Sequence, residues 1–158
     1  MFMTSDRLPW QQDTIIHHSQ ILLHSYHHWT GHYLVDPNRE PEEIAELLFT
    51  APFILVSHGT EPDPIFNYGN QQALELWEIS WEEFTQMPSR KTAQEIEQAE
   101  RDRLLAESAA KGFVTNYSST RITTSGKRFF IKDITLWNVL DQNELCGQAA
   151  MYQEWKFL

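Results

Sequence analysis

The sequence predicts an α+β fold, with a five-stranded antiparallel sheet, helices grouped on one face and a helical cap at the N-terminus. Three observations predict it. The stretch Pro52–Trp81, PFILVSHGTEPDPIFNYGNQQALELWEISW, has an apolar run, a turn cluster, a second short aromatic run, Asn70 and then a helical segment, the order strand, turn, strand, helix. At Gly112 the hydrophobic period changes from that of a helix to two, and three strand-like segments follow. Before residue 50 only helical periods occur. The division expected is a helical extension over residues 1–50 and a sheet domain over 51–158, an arrangement in which helices segregate to one face of an antiparallel sheet.

A chain of 158 residues suits one domain with a real core. Hydrophobic residues make up 41% and aromatics 13%, enough apolar surface to offset chain entropy. The formal charge of -10 and the scatter of Arg90, Lys91, Arg101, Arg103, Lys111, Arg121, Lys127, Arg128 and Lys132 among acids argue against nucleic acid and anionic membranes as partners. Cys146 is the single cysteine, which rules out an intrachain disulfide and fits a reducing compartment. MFMTSDRLPW lacks the basic and apolar regions of a signal peptide. No window holds the roughly 18 apolar residues of a membrane span. The expectation is a soluble cytoplasmic protein.

From Asp13 to about Thr30, Ile15, Leu22, Tyr26 and Trp29 share one stripe of a helix that turns about 100° per residue, and Gly31 stops it. His17, His24 and His28 lie within about 40° of one another on the opposite side. Two ligands four residues apart fall short of the three or four that a zinc site wants, so these histidines are read as a solvated face or a helix contact, a metal site being the alternative if the chain or a second subunit supplies a third ligand. Pro41 opens a short helix through Leu48, with Ile44, Leu47 and Leu48 on its apolar edge. The first strand takes Phe53–Val56. Glu61-Pro62-Asp63-Pro64 turns the chain, and the second strand takes Ile65–Tyr68. His58, beside that turn, is read as a satisfied turn histidine.

Asn70 is placed to cap a helix whose inner face is Ala73, Leu74 and Trp77. Ser80 with Glu83 forms a capping box for a one-turn helix that presents Trp81 and Phe84. The longest helical signal, Thr92–Lys111, puts Ile96, Ala99, the stem of Arg103, Leu104, Ala106 and Ala110 inward and Glu95, Glu97, Glu100, Asp102 and Glu107 outward, with Gly112 as its cap. Strands then follow over Phe113–Thr123, Lys127–Leu140 and Leu145–Trp155, joined by turns at Ser125-Gly126 and Asp141–Glu144.

The runs FILVSH, PDPIFNYGNQQALEL, SWEEF, PSR, GFVTNYSSTRITTSGKRFFIKDITLWNVLD and GQAAMY resemble the MEKHLA domain, a relative of the PAS fold, in order from Leu22 to Trp155. The resemblance implies a sensing or interaction domain that binds a small molecule, or binds nothing and dimerises. Flavin photosensors of this fold carry a reactive cysteine on a helix and haem-binding members a histidine on the long helix. The helical region here has no cysteine, and Thr92–Lys111 has no histidine, so the cofactor is left unknown.

In this fold the sheet face towards the helices lines the pocket. Tyr117, Arg121, Asp133, Trp137 and Gln148 interleave polar groups with aromatics on the late strands, the character of a ligand site. Phe66, Tyr68 and Trp77 are candidate pocket walls, although burial alone accounts for aromatics. Arg121 and Asp133, on adjacent strands, are read either as a structural ion pair or as an arginine that grips an anionic or amide group of a ligand. No Gly-x-Ser-x-Gly elbow, phosphate loop or His-Glu-x-x-His occurs, so no enzymatic activity is expected.

The expected function is therefore a sensory or small-molecule-binding domain that acts through a homodimer or a partner protein, no output domain being present in the sequence. The alternative is an interaction module without a ligand. The apolar stripe of residues 13–30, with Leu22 and Trp29, is the candidate dimer surface. A cavity of roughly 300 Å³ or more would favour a ligand, and a core filled by Phe66, Trp77 and Trp137 would favour interaction alone.

Overall fold

A computed structural model describes residues 8–93 and 95–158, and the side chains of all of these except 95 and 96. The predicted inward position of Ile96 and outward position of Glu95 thus lie outside the described side chains, as does most of the N-terminal decapeptide. The helices are α1 (Asp13–Thr30), α2 (Pro41–Phe49), α3 (Gln71–Trp77), α4 (Trp81–Phe84) and α5 (Glu95–Lys111). The strands are β1 (Ile54–His58), β2 (Phe66–Gly69), β3 (Phe113–Ile122), β4 (Arg128–Asp141), β5 (Glu144–Tyr152) and β6 (Glu154–Phe157). They form one antiparallel sheet in the order β2-β1-β5-β4-β3, with β6 paired to β4.

The predicted last strand, Leu145–Trp155, is interrupted at Gln153. Phe129 faces Phe157 and Lys132 faces Glu154 on β6, while Thr135 faces Met151 on β5. The register is the same on both sides of the break, so β6 continues β5 along β4. The long helix also starts later than Thr92, because Ser89–Thr92 forms a separate 3-10 turn. At the β4–β5 turn Gln142 and Asn143 both take positive φ, 51° and 69°, the two-residue geometry that matches strand twist.

Two apolar layers sandwich the sheet. On one face Ile54, Val56, Phe66, Trp77, Phe84, Phe129, Ile131 and Ile134 pack beneath α3 and α4. On the other, Leu22 and Leu23 of α1 and Ile44 and Leu48 of α2 pack with Leu55, Tyr68, Trp137 and Val139. The N-terminal cap thus covers the face turned away from α3 and α4.

Polar bonds fix α1 there. Ser25 Oγ donates to Leu140 O at 3.1 Å and accepts from its amide at 2.8 Å, and Trp29 Nε1 donates to Asn138 O at 2.8 Å. Leu22 is fully buried within the chain. The stripe expected to serve a dimer is spent on the molecule's own sheet, and Leu22 and Trp29 are not a free docking surface. Gly112 closes α5 at φ 98°, and a Cβ there would lie 2.2 Å from the Trp29 ring, so backbone angle and close approach both demand glycine.

Asn70 does more than cap α3. Its Oδ1 accepts from Ala73 N at 3.2 Å and Leu55 N at 3.1 Å, and its Nδ2 donates to Leu48 O and Phe53 O. One buried amide therefore ties α2, β1 and α3 together, every hydrogen-bonding group of its side chain being used.

Candidate ligand cavity

Beneath α5, on the α3–α4 face of the sheet, lies a partly enclosed cavity of about 70 Å³. β1 contributes Val56 and His58, β2 Phe66, α3 Trp77, and α5 Arg101, Leu104 and Leu105. Tyr117 and Arg121 come from β3, Ile131, Ile134 and Leu136 from β4, and Gln148, Ala150 and Tyr152 from β5, with Ser89 from the 3-10 turn. A water needs roughly 10–15 Å³, so the cavity offers roughly five to seven water-sized positions, room for a small molecule of about as many heavy atoms. That is well under the roughly 300 Å³ of a drug-sized site. That volume is far smaller than a flavin or a porphyrin, and no cysteine is among the described lining residues.

Of the residues read from the sequence as a site, Phe66, Trp77, Tyr117, Arg121 and Gln148 are brought together on this cavity. Tyr68, Trp137 and Asp133 are not. Tyr68 and Trp137 are fully buried on the opposite face, against α1 and α2, where the Trp137 ring meets Tyr26 edge-on at 5.0 Å. Asp133 is exposed.

The physical reason is a set of bulges. Asn116 and Asp133 take φ of 58° and 54°, and the β3–β4 register slips at Tyr117–Ile134. Each bulge adds a residue and reverses the alternation beyond it. Ile131 and Ile134 therefore face the cavity while Asp133 and Trp137 do not. A second irregularity between Ser57 and His58 does the same on β2, separating Phe66 from Tyr68. Arg121 sits opposite Phe129, not Asp133, and the expected Arg121–Asp133 pair does not form.

Arg121 Nη1 instead donates to Ser119 Oγ and, at 3.0 Å, to Thr120 O. Among the described residues no carboxylate lies within ion-pair distance of it.

Arg101 is the site residue that sequence reasoning missed. It is 7% exposed, donates to Ser89 Oγ, and bonds Asp102 Oδ1 at 2.8 Å, a carboxylate that is itself mostly in solvent. The predicted inner face of α5 is rotated: Ala99, Arg103, Ala106 and Ala110 are exposed, while Arg101, Leu104 and Ser108 are buried. Arg101 stands three residues before Leu104 and seven before Ser108, which puts all three on one face. That spacing was the available signal, but an arginine and a serine carry no hydrophobic mark.

The electrostatics follow from burial. Desolvation lowers the Arg101 pKa, with Asp102 opposing and the nearby Arg121 charge adding to the fall. Burial pushes Tyr117 up to about 12 against the pull of both arginines, and raises Tyr152 against that of Arg121. Burial also lowers His58, whose Nδ1 lies 2.9 Å from Gly59 O. His58 Nε2 and Tyr152 Oη have no hydrogen-bond partner among the described residues. His58 is thus only half satisfied, contrary to the turn-histidine expectation.

Ser57 connects the cavity strand to the cap. His18 Nε2 lies 2.9 Å from Ser57 Oγ, which donates to Asn67 Oδ1. The serine oxygen is then left to accept, so the imidazole presents an N–H. The other α1 histidines form no metal cluster among the described residues: His17 pairs with Asp141 at 3.6 Å and His24 with Gln20 at 3.2 Å.

Several solved structures share this architecture. A PAS domain from Colwellia psychrerythraea aligns with a TM-score of 0.61 at 12% identity, over 74% of this chain and 95% of that one. A PAS domain from a two-component sensor histidine kinase aligns at 0.55 and 18%, over 72% and 91%. A PAS domain of a LuxR-family transcriptional regulator from Burkholderia thailandensis, solved in complex with ethanol, aligns at 0.53 and 15%, over 72% and 95%. The fold is that of a PAS domain, and at these identities the likeness concerns the fold. No curated protein matches the chain significantly. The MEKHLA domain model matches residues 16–157, and the chain belongs to that family.

Proposed function

We propose that this MEKHLA protein is a sensory module that binds a small molecule in the cavity beneath α5 and passes its occupancy to the N-terminal helical extension, residues 1–50. The observation that carries the reading is the cavity's mixed lining, apolar walls with buried polar groups that have no partner among the described residues. Such groups are costly unless something satisfies them. The Ser57–His18 contact supports the route, since β1 lines the cavity and α1 lies on the other side of the sheet. The signal then leaves through a homodimer or a partner protein, by a surface other than the buried stripe of α1.

A non-enzymatic role suits a site with neither an activated nucleophile nor a paired acid and base. The small volume favours the alternative, an interaction module with a nearly filled core. Native mass spectrometry of the protein purified without additions decides between them. The sensory reading expects a co-purified mass under about 150 Da, roughly that of the five to seven heavy atoms the cavity holds, released on denaturation and absent from Ala150→Leu. A clean apo mass at every condition, with unchanged stability of Ala150→Leu, supports the interaction module.

A further inference from the structure

Two guanidinium groups border one small cavity in a chain whose formal charge is -10. Among the described residues, the lining contains no aspartate or glutamate. Arg101 has one carboxylate partner, which lies on the solvent side, and Arg121 bonds only neutral oxygens. The Arg121 charge is felt at Arg101, Tyr117 senses both arginines and Tyr152 senses Arg121. Like charges in a partly desolvated site repel; buried Arg101 has its counterion only on the solvent side, and half-buried Arg121 has none within ion-pair distance among the described residues. Water would satisfy the orphaned His58 Nε2 and Tyr152 Oη, but water does not neutralise the charge of Arg121.

An anion does, and guanidinium groups match a carboxylate in both charge and planar geometry. Part of the remaining wall is apolar, and Phe66, Trp77, Leu104 and Ile134 offer nothing to a second charge. We propose that the cavity takes a small monocarboxylate with a short apolar tail, its carboxylate held by Arg101 and Arg121 and its tail against Phe66 and Trp77. The room for roughly five to seven heavy atoms limits the tail to about four carbons. This inference rests on the ligand-binding reading above and narrows its ligand class.

The test is isothermal titration of the full chain with three probes: isovalerate, its uncharged amide isovaleramide, and inorganic phosphate. The expected result is saturable binding of isovalerate, at least tenfold tighter than isovaleramide, with no measurable binding of phosphate. Arg121→Gln should lose at least tenfold in isovalerate affinity and Arg121→Lys less. Without ligand, both should melt no lower than the parent, since a repulsive pair has been relieved or kept. Their ¹H–¹⁵N spectra report whether the fold is intact, and Arg101→Gln repeats the test from the other side.

Equal binding of isovaleramide and isovalerate would leave the cavity a ligand site and overturn the anionic choice. Phosphate binding in preference to isovalerate would overturn the apolar tail. Undiminished isovalerate binding by well-folded Arg121→Gln and Arg101→Gln would overturn the placement. If none of the probes binds, the monocarboxylate is overturned, and the mass spectrometry above decides separately on the wider reading.

Discussion

Acidification should loosen this protein through His18. The imidazole is largely buried between α1 and the sheet and bonded to Ser57, and burial, helped by the charge of neighbouring His17, lowers its pKa from 6.5 to about 4. An unfolded chain takes up this proton near pH 6.5, whereas the folded chain resists until about pH 4. Between these values the unfolded state binds more protons, so stability falls as pH falls. Above 6.5 neither state is protonated and the effect is absent; below 4 it is complete. A gap of about 2.5 in pH at about 1.4 kcal/mol each gives at most about 3 kcal/mol, a large share of an ordinary domain's stability. The assay is urea denaturation at pH 7, 6, 5 and 4 for the parent and for His18→Gln, whose amide keeps a donor for Ser57 but does not titrate. The parent should lose about 2–3 kcal/mol more than the variant between pH 7 and 4. His58, lowered by burial in the same direction, remains in both and cancels in the difference. Parallel curves for the two proteins would refute the reasoning.

Three further outcomes follow from the packing. Gly112→Ala forces a Cβ into the Trp29 ring at a positive φ, and should cost about 3 kcal/mol or more in chemical denaturation. Asn70→Ala strips four buried hydrogen bonds from α2, β1 and α3 and should cost about 3–5 kcal/mol by the same assay. Tyr68→Phe removes a buried hydroxyl that has no partner among the described residues; it should leave stability unchanged or raise it by up to about 1 kcal/mol, and a clear loss would mean the hydroxyl is bonded after all.

Much of the fold was legible because its signals are local. Pro41, Asn70, Ser80, Gly31 and Gly112 mark element ends through backbone chemistry, and α1 falls on the predicted Asp13–Thr30. The sheet interior was legible only up to its bulges. Strict alternation from Trp137 back to Asp133 predicts one face; the extra residues at Asn116 and Asp133 reverse it, and no residue type announces such a reversal beyond a tolerance for positive φ in Asn and Asp. Phe66 and Tyr68 were separated by the same kind of slip. Arg101 was hidden for a different reason: helical periodicity weighs hydrophobicity, and a buried cation reads as a surface one. Nor does an apolar stripe say what covers it: the stripe of Leu22 and Trp29 suits a dimer equally well, and its partner is the sheet of the same chain.

The proposed function requires that the cavity beneath α5 bind a ligand and that α1 respond to it. The most direct measurement is a ¹H–¹⁵N titration of the labelled protein with short-chain carboxylates, alcohols and amides of up to about seven heavy atoms, the size the cavity admits. At least one should produce saturable shifts at the amides of Val56, His58, Arg101 and Gln148, extending through Ser57 to His18 on the far side of the sheet. Saturable shifts confined to the exposed surface, or none from any compound, would contradict the proposed function.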